Sequence, residues 1–319
     1  MDKWEELAKG LRAAVPELEV LQNEPMARHT TFRIGGPAAL FVRPREGSKA
    51  VKLCQYLRSE GVEPFFLGNG SNLLVADEGY DGVVVATQGS GMNSCIILDG
   101  RGVIPSGRIT MMVEAGAPLS VMAKKAAEFG VTGLEFAAGI PGTLGGALVM
   151  NAGAYGGEIG SVVEKICYAN EAGEIDFLSA SECDFSYRHS IFMDHPGWFI
   201  MSCYMYLTPA PREEIEAKMA DLAARRREKQ PLDLPSAGST FKRPAPVDGR
   251  PVYAAALIDQ CGCKGLQVGG AKVSEKHAGF IVNAGGATCK DVLDLMEEVK
   301  KRVLDATGIL LEPEVRVLK

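Results

Sequence analysis

No stretch of this 319-residue sequence stays apolar long enough to cross a membrane; runs such as GVVVA at 82–86 fall far short of the ~20 residues a spanning helix needs. Nor does the chain open like an export signal. MDKWEELAKGLRAAV mixes charges of both signs and sets Trp4, Leu7 and Leu11 on one helical face. A cytoplasmic protein without membrane insertion is expected. Histidine is scarce, at four residues, and no HExxH or paired-ligand spacing occurs. The eight cysteines, Cys54, Cys95, Cys167, Cys183, Cys203, Cys261, Cys263 and Cys289, include one CxC but no CxxC. They read as reduced, mostly buried thiols, and no metal site is expected. The net charge is −6 and the one dense basic run is Arg225–Arg227, which argues against a nucleic-acid partner. Both common phosphate-loop signatures, GxGxxG and GxxxxGK[ST], are missing, so neither a Rossmann site nor a P-loop is indicated.

Glycine, in contrast, is abundant and clustered. Seven of the twenty residues in AGIPGTLGGALVMNAGAYGG, 138–157, are glycine. Such a run marks tight turns or a ligand laid against main chain, because glycine is costly in ordered structure unless a positive φ or close approach requires it. A shorter loop, GNGSNL from Gly68 to Leu73, follows an apolar strand. Alone it reads first as a hairpin turn; its successive N–H groups with Ser71 and Asn72 could also form a concave anion nest, which the glycine run at 138–157 favours. Two separate loops of this kind suit a long ligand with a pyrophosphate in its middle, one loop holding phosphates and the other passing a flat ring system. That describes a dinucleotide.

The remaining pattern is α+β. A helix over SKAVKLCQYLRSEG ends at Gly61, and EPFFLGNGSNLLVADEGYDGVVVAT reads as strand, turn, strand, turn, strand. Strands are expected near 93–98, 110–114 and 197–207, with a helix from Pro118 to Phe129 stopped by Gly130. In PREEIEAKMADLAARRREKQP the acids lead and the arginines trail, as the helix dipole favours, and Ile215, Met219 and Leu222 are expected to form its buried stripe. Thr288 can cap a further helix with Asp291, burying Val292, Leu295, Val299 and Val303 and ending at Gly308. On the last strand, ILLEPEVRVL, Leu311, Val315 and Val317 share one face and Glu312, Glu314 and Arg316 the other. Residues 1–92, 93–210 and 211–319 are expected to form three regions of one body.

TTFRIGGPA, FLGNGSNLLVADEGYDGVVV and GLEFAAGIPGTLGGALVMNAGAYGGEIG resemble the FAD-binding half of the UDP-N-acetylenolpyruvoylglucosamine reductase family, which builds bacterial peptidoglycan precursors. The resemblance continues through FSYRHSIF, QPLDLPSAGSTFKRP, LQVGGAKVSEKHAGFIVNAGG and LEPEVRVL. It implies the vanillyl-alcohol-oxidase (PCMH-type) fold: two FAD-binding subdomains, 1–92 and 93–210, and a smaller α+β substrate-binding domain, 211–319. Noncovalent FAD would lie against Gly68, Asn69, Gly70, Ser71 and Asn72, and against Gly139, Ile140, Pro141, Gly142, Gly145, Gly146, Asn151 and Gly153. NADPH would reduce the flavin, whose N5 would pass hydride to C3 of the enolpyruvyl ether. Arg188 of SYRHS would stabilise the enolate, Ser239 of AGSTF would protonate C2, and Glu314 of PEVR would either help orient and polarise the substrate carboxylate region or act as an alternative acid. Tyr155, Tyr187, Lys229, Arg243 and Gln267 would contact the UDP-sugar. With 50 residues between Arg188 and Ser239, the chain is similar to the shorter subtype lacking a tyrosine-bearing loop over the substrate. A monomer is expected.

Without the resemblance, Arg188 would read as a surface arginine, Ser239 as a turn residue and Glu314 as half of a solvated ion pair with Arg316. Two other functions compete. A flavin oxidase on the same fold often tethers FAD through His or Cys, and neither residue occurs in the glycine runs. A non-catalytic nucleotide-binding module would need none of Arg188, Ser239 and Glu314.

Overall fold

The computed structural model describes residues 2–98 and 107–319, and these divide into two compact units. The first comprises residues up to Asn23, then Ala39–Asn69 and Gly82–Arg226; the second comprises Glu24–Ala38, Gly70–Asp81 and Arg227–Lys319. No described helix is long and apolar enough to cross a membrane.

In the first unit, the helix Lys3–Ala14 begins where the Asp2 side chain accepts from the Trp4 N–H, and it buries Leu7, Ala8 and Leu11. These side chains pack with Leu53 and Leu57 of the helix Gly47–Ser59 against Leu40, Val42, Val83 and Val85. The latter come from a four-stranded sheet in the order Glu19–Pro25, Pro37–Arg43, Tyr80–Ala86, Phe65–Leu67, whose last pair runs parallel. A second, antiparallel sheet runs Ile175–Ser179, Val163–Ala169, Phe199–Pro209, Ile109–Glu114, Cys95–Leu98. Alternate residues Cys203, Met205 and Leu207 of its long strand are buried, as a period of two requires. They meet Leu119 and Met122 of the helix Leu119–Glu128 and Leu144 and Leu148 of the short helix Leu144–Val149, which rises out of the glycine run. Burial pushes the Cys54 and Cys183 thiols up to about 12 and the Cys203 thiol well above its ordinary value.

The second unit is built on the helix Cys289–Thr307. Thr288 and Asp291 form the expected capping box, and Gly308 closes the helix at φ 73°. Val292, Leu295, Val299 and Val303 face a core shared with Phe32, Leu74, Phe241, Val273 and Leu311. A small antiparallel sheet, Gln267–Val268, Ala271–Val273 and Ile281–Asn283, lies beside it, and Leu73–Val75 pairs in parallel with Arg316–Leu318. Asp77 adds a charged clamp: its two carboxylate oxygens accept from the N–H groups of Cys289 and Lys290, at 2.7 and 3.0 Å.

Two elements differ from the sequence pattern. On the helix Arg212–Lys229, Ile215 is buried, but Met219 and Leu222 are only half-buried. On the last strand Leu311 and Val315 are buried as expected, yet Val317 is 37% exposed and Leu318 is buried in its place. Proline 313 has no N–H to give a ladder, so regular pairing starts only at Arg316 and the alternation restarts in a new phase.

Asp77→Ala should lower stability by about 1 kcal/mol, because two first-turn N–H groups lose a charged acceptor. Asp77→Asn should recover part of the loss. Urea unfolding followed by circular dichroism measures both, and an unchanged midpoint in the alanine variant would show that water replaces the clamp.

Candidate active site

Within the first unit the ends of the two glycine runs meet. The Asn69 side-chain amide donates to the Pro141 carbonyl at 2.7 Å, and a Cβ on Gly68 would stand 2.4 Å from the Thr143 hydroxyl. Thr143 Oγ1 is buried and has no hydrogen-bond partner. Beside it, a Cβ on Gly146 would meet nothing nearer than that hydroxyl at 3.8 Å, and one on Gly156 would meet nothing within 4 Å. Gly139, Pro141 and Gly146 are solvent-accessible, with Ile140, Gly142 and Gly145 half-covered. Main chain is thus laid bare along an open face with an unsatisfied hydroxyl at its edge, a surface onto which a flat, polar ligand can settle. Gly70 is different. It is buried at φ 59°, and a Cβ there would come within 2.2 Å of the His29 carbonyl, so protein backbone already fills its space.

Arg188 sits at the tip of a tight turn, closed by reciprocal backbone bonds of 3.2 Å between Ser186 and His189. Its φ is 57°, a left-handed conformation unusual for a side chain of this size. Its guanidinium donates to the Gly153 carbonyl at 3.4 Å and lies 5.0 Å over the Tyr187 ring. Tyr155 and Tyr187 are both exposed. Asn151 is wholly buried, and its amide reaches the base of the Arg188 turn: Nδ2 donates to the Ser186 carbonyl at 2.9 Å, while Oδ1 accepts from the Gly160 N–H at 2.9 Å.

In the second unit Ser239 and Glu314 are stitched together through the residue between Ser239 and Phe241. The Thr240 carbonyl accepts from the Glu314 N–H at 2.8 Å, its N–H donates to Gly279, and its hydroxyl accepts from the Ile281 N–H. Asn72 completes the join, with Nδ2 donating to the Glu314 carbonyl and its own carbonyl accepting from the Arg316 N–H, both at 3.0 Å. Ser239 is exposed and Glu314 half-buried. Glu312 forms its ion pair with Lys242, at 3.5 Å. Lys229 and Gln267 are exposed, and Arg243 is stacked 5.4 Å from the Tyr253 ring. Among the described residues no group of three or more His, Cys, Asp or Glu is set to hold a metal ion.

Three residues escaped the sequence reading. Thr143 and Thr240 carry no signal beyond lying inside the glycine run and the AGSTF motif. Arg226 had one, its place in the basic run. Its side chain lies against Gly139, whose Cβ would be 3.1 Å from the Arg226 Cδ, and burial pulls the guanidinium pKa down. No carboxylate pairs with it among the described residues. A desolvated, unneutralised cation beside bare main chain suits an anionic ligand.

Comparison with known proteins agrees with this layout. The family described as FAD binding domain matches residues 38–175, and that described as UDP-N-acetylenolpyruvoylglucosamine reductase, C-terminal domain, matches 230–318. The UDP-N-acetylenolpyruvoylglucosamine reductase of Caldanaerobacter subterraneus subsp. tengcongensis is 47% identical over 312 residues, 98% of each chain. That of Agathobacter rectalis is 44% identical over 320 residues, 97% of each chain. The crystal structure of the Thermus caldophilus UDP-N-acetylenolpyruvylglucosamine reductase superposes with a TM-score of 0.75 at 33% identity, covering 95% of this chain and 99% of that one. With an α+β FAD-binding region followed by the reductase's C-terminal domain, and likeness running almost end to end, the chain belongs to the UDP-N-acetylenolpyruvoylglucosamine reductase family.

Proposed function

We propose that the chain reduces UDP-N-acetylglucosamine enolpyruvate to UDP-N-acetylmuramate in peptidoglycan precursor synthesis, with NADPH as electron donor and noncovalent FAD as carrier. One observation carries the reading: reductases named for this substrate match up to 98% of the chain. We further read the enzyme as a cytoplasmic monomer with subdomains 1–92, 93–210 and 211–319, the core around Val292 also drawing in Phe32, Ile34 and Leu74 from the first of them.

FAD fits the bare main chain of the first unit, where Thr143 Oγ1 lacks a partner and Gly146 leaves space beside it. Gly68, Asn69, Gly139, Ile140, Pro141, Gly142, Gly145, Gly146 and Gly153 would hold it, with Gly70, Ser71 and Asn72 contributing through the main chain. When bound, the flavin takes two electrons from NADPH and supplies them to the enolpyruvyl carbon C3. The residues of the chain manage the charge and the proton that follow. Further negative charge develops on C2 and the adjoining carboxylate, and a fixed guanidinium at Arg188 stabilises this state more than the ground-state ether, which carries only the carboxylate charge. Ser239 Oγ–H delivers the proton to C2. A hydroxyl is a weak acid in water, so its task depends on being held in place; the Thr240 backbone bonds supply that hold. Glu314 orients the carboxylate end of the substrate. Tyr155, Tyr187, Lys229, Arg243 and Gln267 would contact the nucleotide sugar, and Arg226 would offer a cation to a phosphate.

Three outcomes test this reading. The protein should purify yellow, release its flavin on denaturation, and lose FAD content in Gly68→Val, whose branched side chain has no room beside Thr143. A colourless wild type that takes up no added FAD would remove the cofactor. Arg188→Ala should slow turnover by roughly a hundredfold, about 3 kcal/mol of enolate stabilisation, with folding and flavin content retained; a change of less than a few-fold makes Arg188 structural. In stopped flow, Ser239→Ala should be bleached by NADPH at the wild-type rate yet reoxidise very slowly with enolpyruvyl substrate, and Ser239→Cys should recover part of that second step. Normal reoxidation in the alanine variant excludes Ser239 as the acid.

A further inference from the structure

Asn151 poses a question that a cofactor contact does not answer, since its side chain is enclosed by protein. Its relative exposure is 0%, so neither end of the amide reaches a surface on which a ligand could lie. Both ends are spent on backbone: Nδ2 on the carbonyl of Ser186, Oδ1 on the N–H of Gly160. The room for this is specific. A Cβ on Gly160 would lie 3.0 Å from Asn151 Oδ1 and 2.8 Å from the Phe185 ring, so any other residue at 160 would push against the amide. The backbone of Asn151 is itself left-handed, at φ 44°, a conformation that asparagine and glycine tolerate best.

The geometry points to Asn151 as the positioning residue for Arg188, a role that rests on Arg188 being the cation facing the enolate. Ser186 is the first residue of the Arg188 turn, and a strained left-handed arginine persists only where its surroundings over-determine it. Among the bonds between the segments 149–153 and 186–190 are these with side-chain donors. The Ser190 hydroxyl donates to the Val149 carbonyl at 2.7 Å, Asn151 donates to Ser186, and Arg188 donates to the Gly153 carbonyl. Asn151 is the central one, and its other end is anchored to Gly160. The glycine run therefore does more than bare its backbone to a ligand. Its end also sets the height and direction of the guanidinium.

The test is a double-mutant cycle. Asn151→Gly keeps the left-handed backbone and removes both bonds, and Asn151→Asp keeps the size but sets a carboxylate against the Ser186 carbonyl. Each is made alone and with Arg188→Ala, and measured for FAD content, thermal midpoint, reduction by NADPH and reoxidation by UDP-N-acetylglucosamine enolpyruvate. A misplaced guanidinium predicts reoxidation slowed about tenfold or more in the single variants, with FAD content and NADPH reduction kept. In the Arg188→Ala background the same substitutions should add less than about a twofold effect, because the group they position is gone. Equal slowing in both backgrounds, equal slowing of both half-reactions, or wild-type reoxidation in the single variants overturns the assignment. If the glycine variant loses its flavin, the aspartate variant decides on the same readings. Should Arg188→Ala itself reoxidise normally, the role of Arg188 falls and that of Asn151 with it; a slow Arg188→Ala beside fast Asn151 variants overturns the positioning role alone.

Discussion

Peptide backbone pressed against peptide backbone is the constraint on which the second unit depends. A Cβ on Gly36 would stand 2.2 Å from the Asp77 carbonyl oxygen, and one on Gly79 would stand 2.0 Å from that of Pro37. These contacts let residues 24–38 and 70–81, which come from the first quarter of the chain, lie together beside a helix formed near its end. The strand Leu73–Val75 then finds its partner in Arg316–Leu318, and Asn72 arrives beside Glu314. The position of Glu314 is thus set by where side chains are missing.

Glycine in this chain consequently serves two purposes that look alike in the sequence. Where protein carbonyls fill the space of a side chain, as at Gly70, the residue permits packing. Where the space is open, as at Gly146, the residue leaves main chain accessible. Periodicity and composition register glycine density and cannot separate these cases, because the neighbour that fills the space lies far away in sequence.

The same limit explains which parts of the fold were legible. The helix Cys289–Thr307 was readable from end to end, since its cap, apolar face and left-handed stop are all local signals. The strands around GNGSNL were readable for the same reason. The phase of the last strand was not, because Pro313 and a partner at Leu73–Val75 decide it jointly. Arg188, Ser239 and Glu314 were singled out only through family resemblance; as residue types in a pattern each was ordinary. Thr240, Arg226 and the buried amide of Asn151 act through contacts with remote segments, for which a single sequence offers no period to detect.

The deeply buried thiols have a chemical consequence. Only the thiolate reacts readily with alkylating agents and peroxides, and a thiol whose pKa stands at about 12, as for Cys54 and Cys183, is ionised at neutral pH in roughly one molecule per hundred thousand. Cys203, on the long central strand itself, is likewise held well above its ordinary value by burial. A protein with eight cysteines can therefore meet electrophiles and oxidants with these three sulfurs shielded, its durability in such surroundings set by hydrocarbon packing rather than by a low cysteine count.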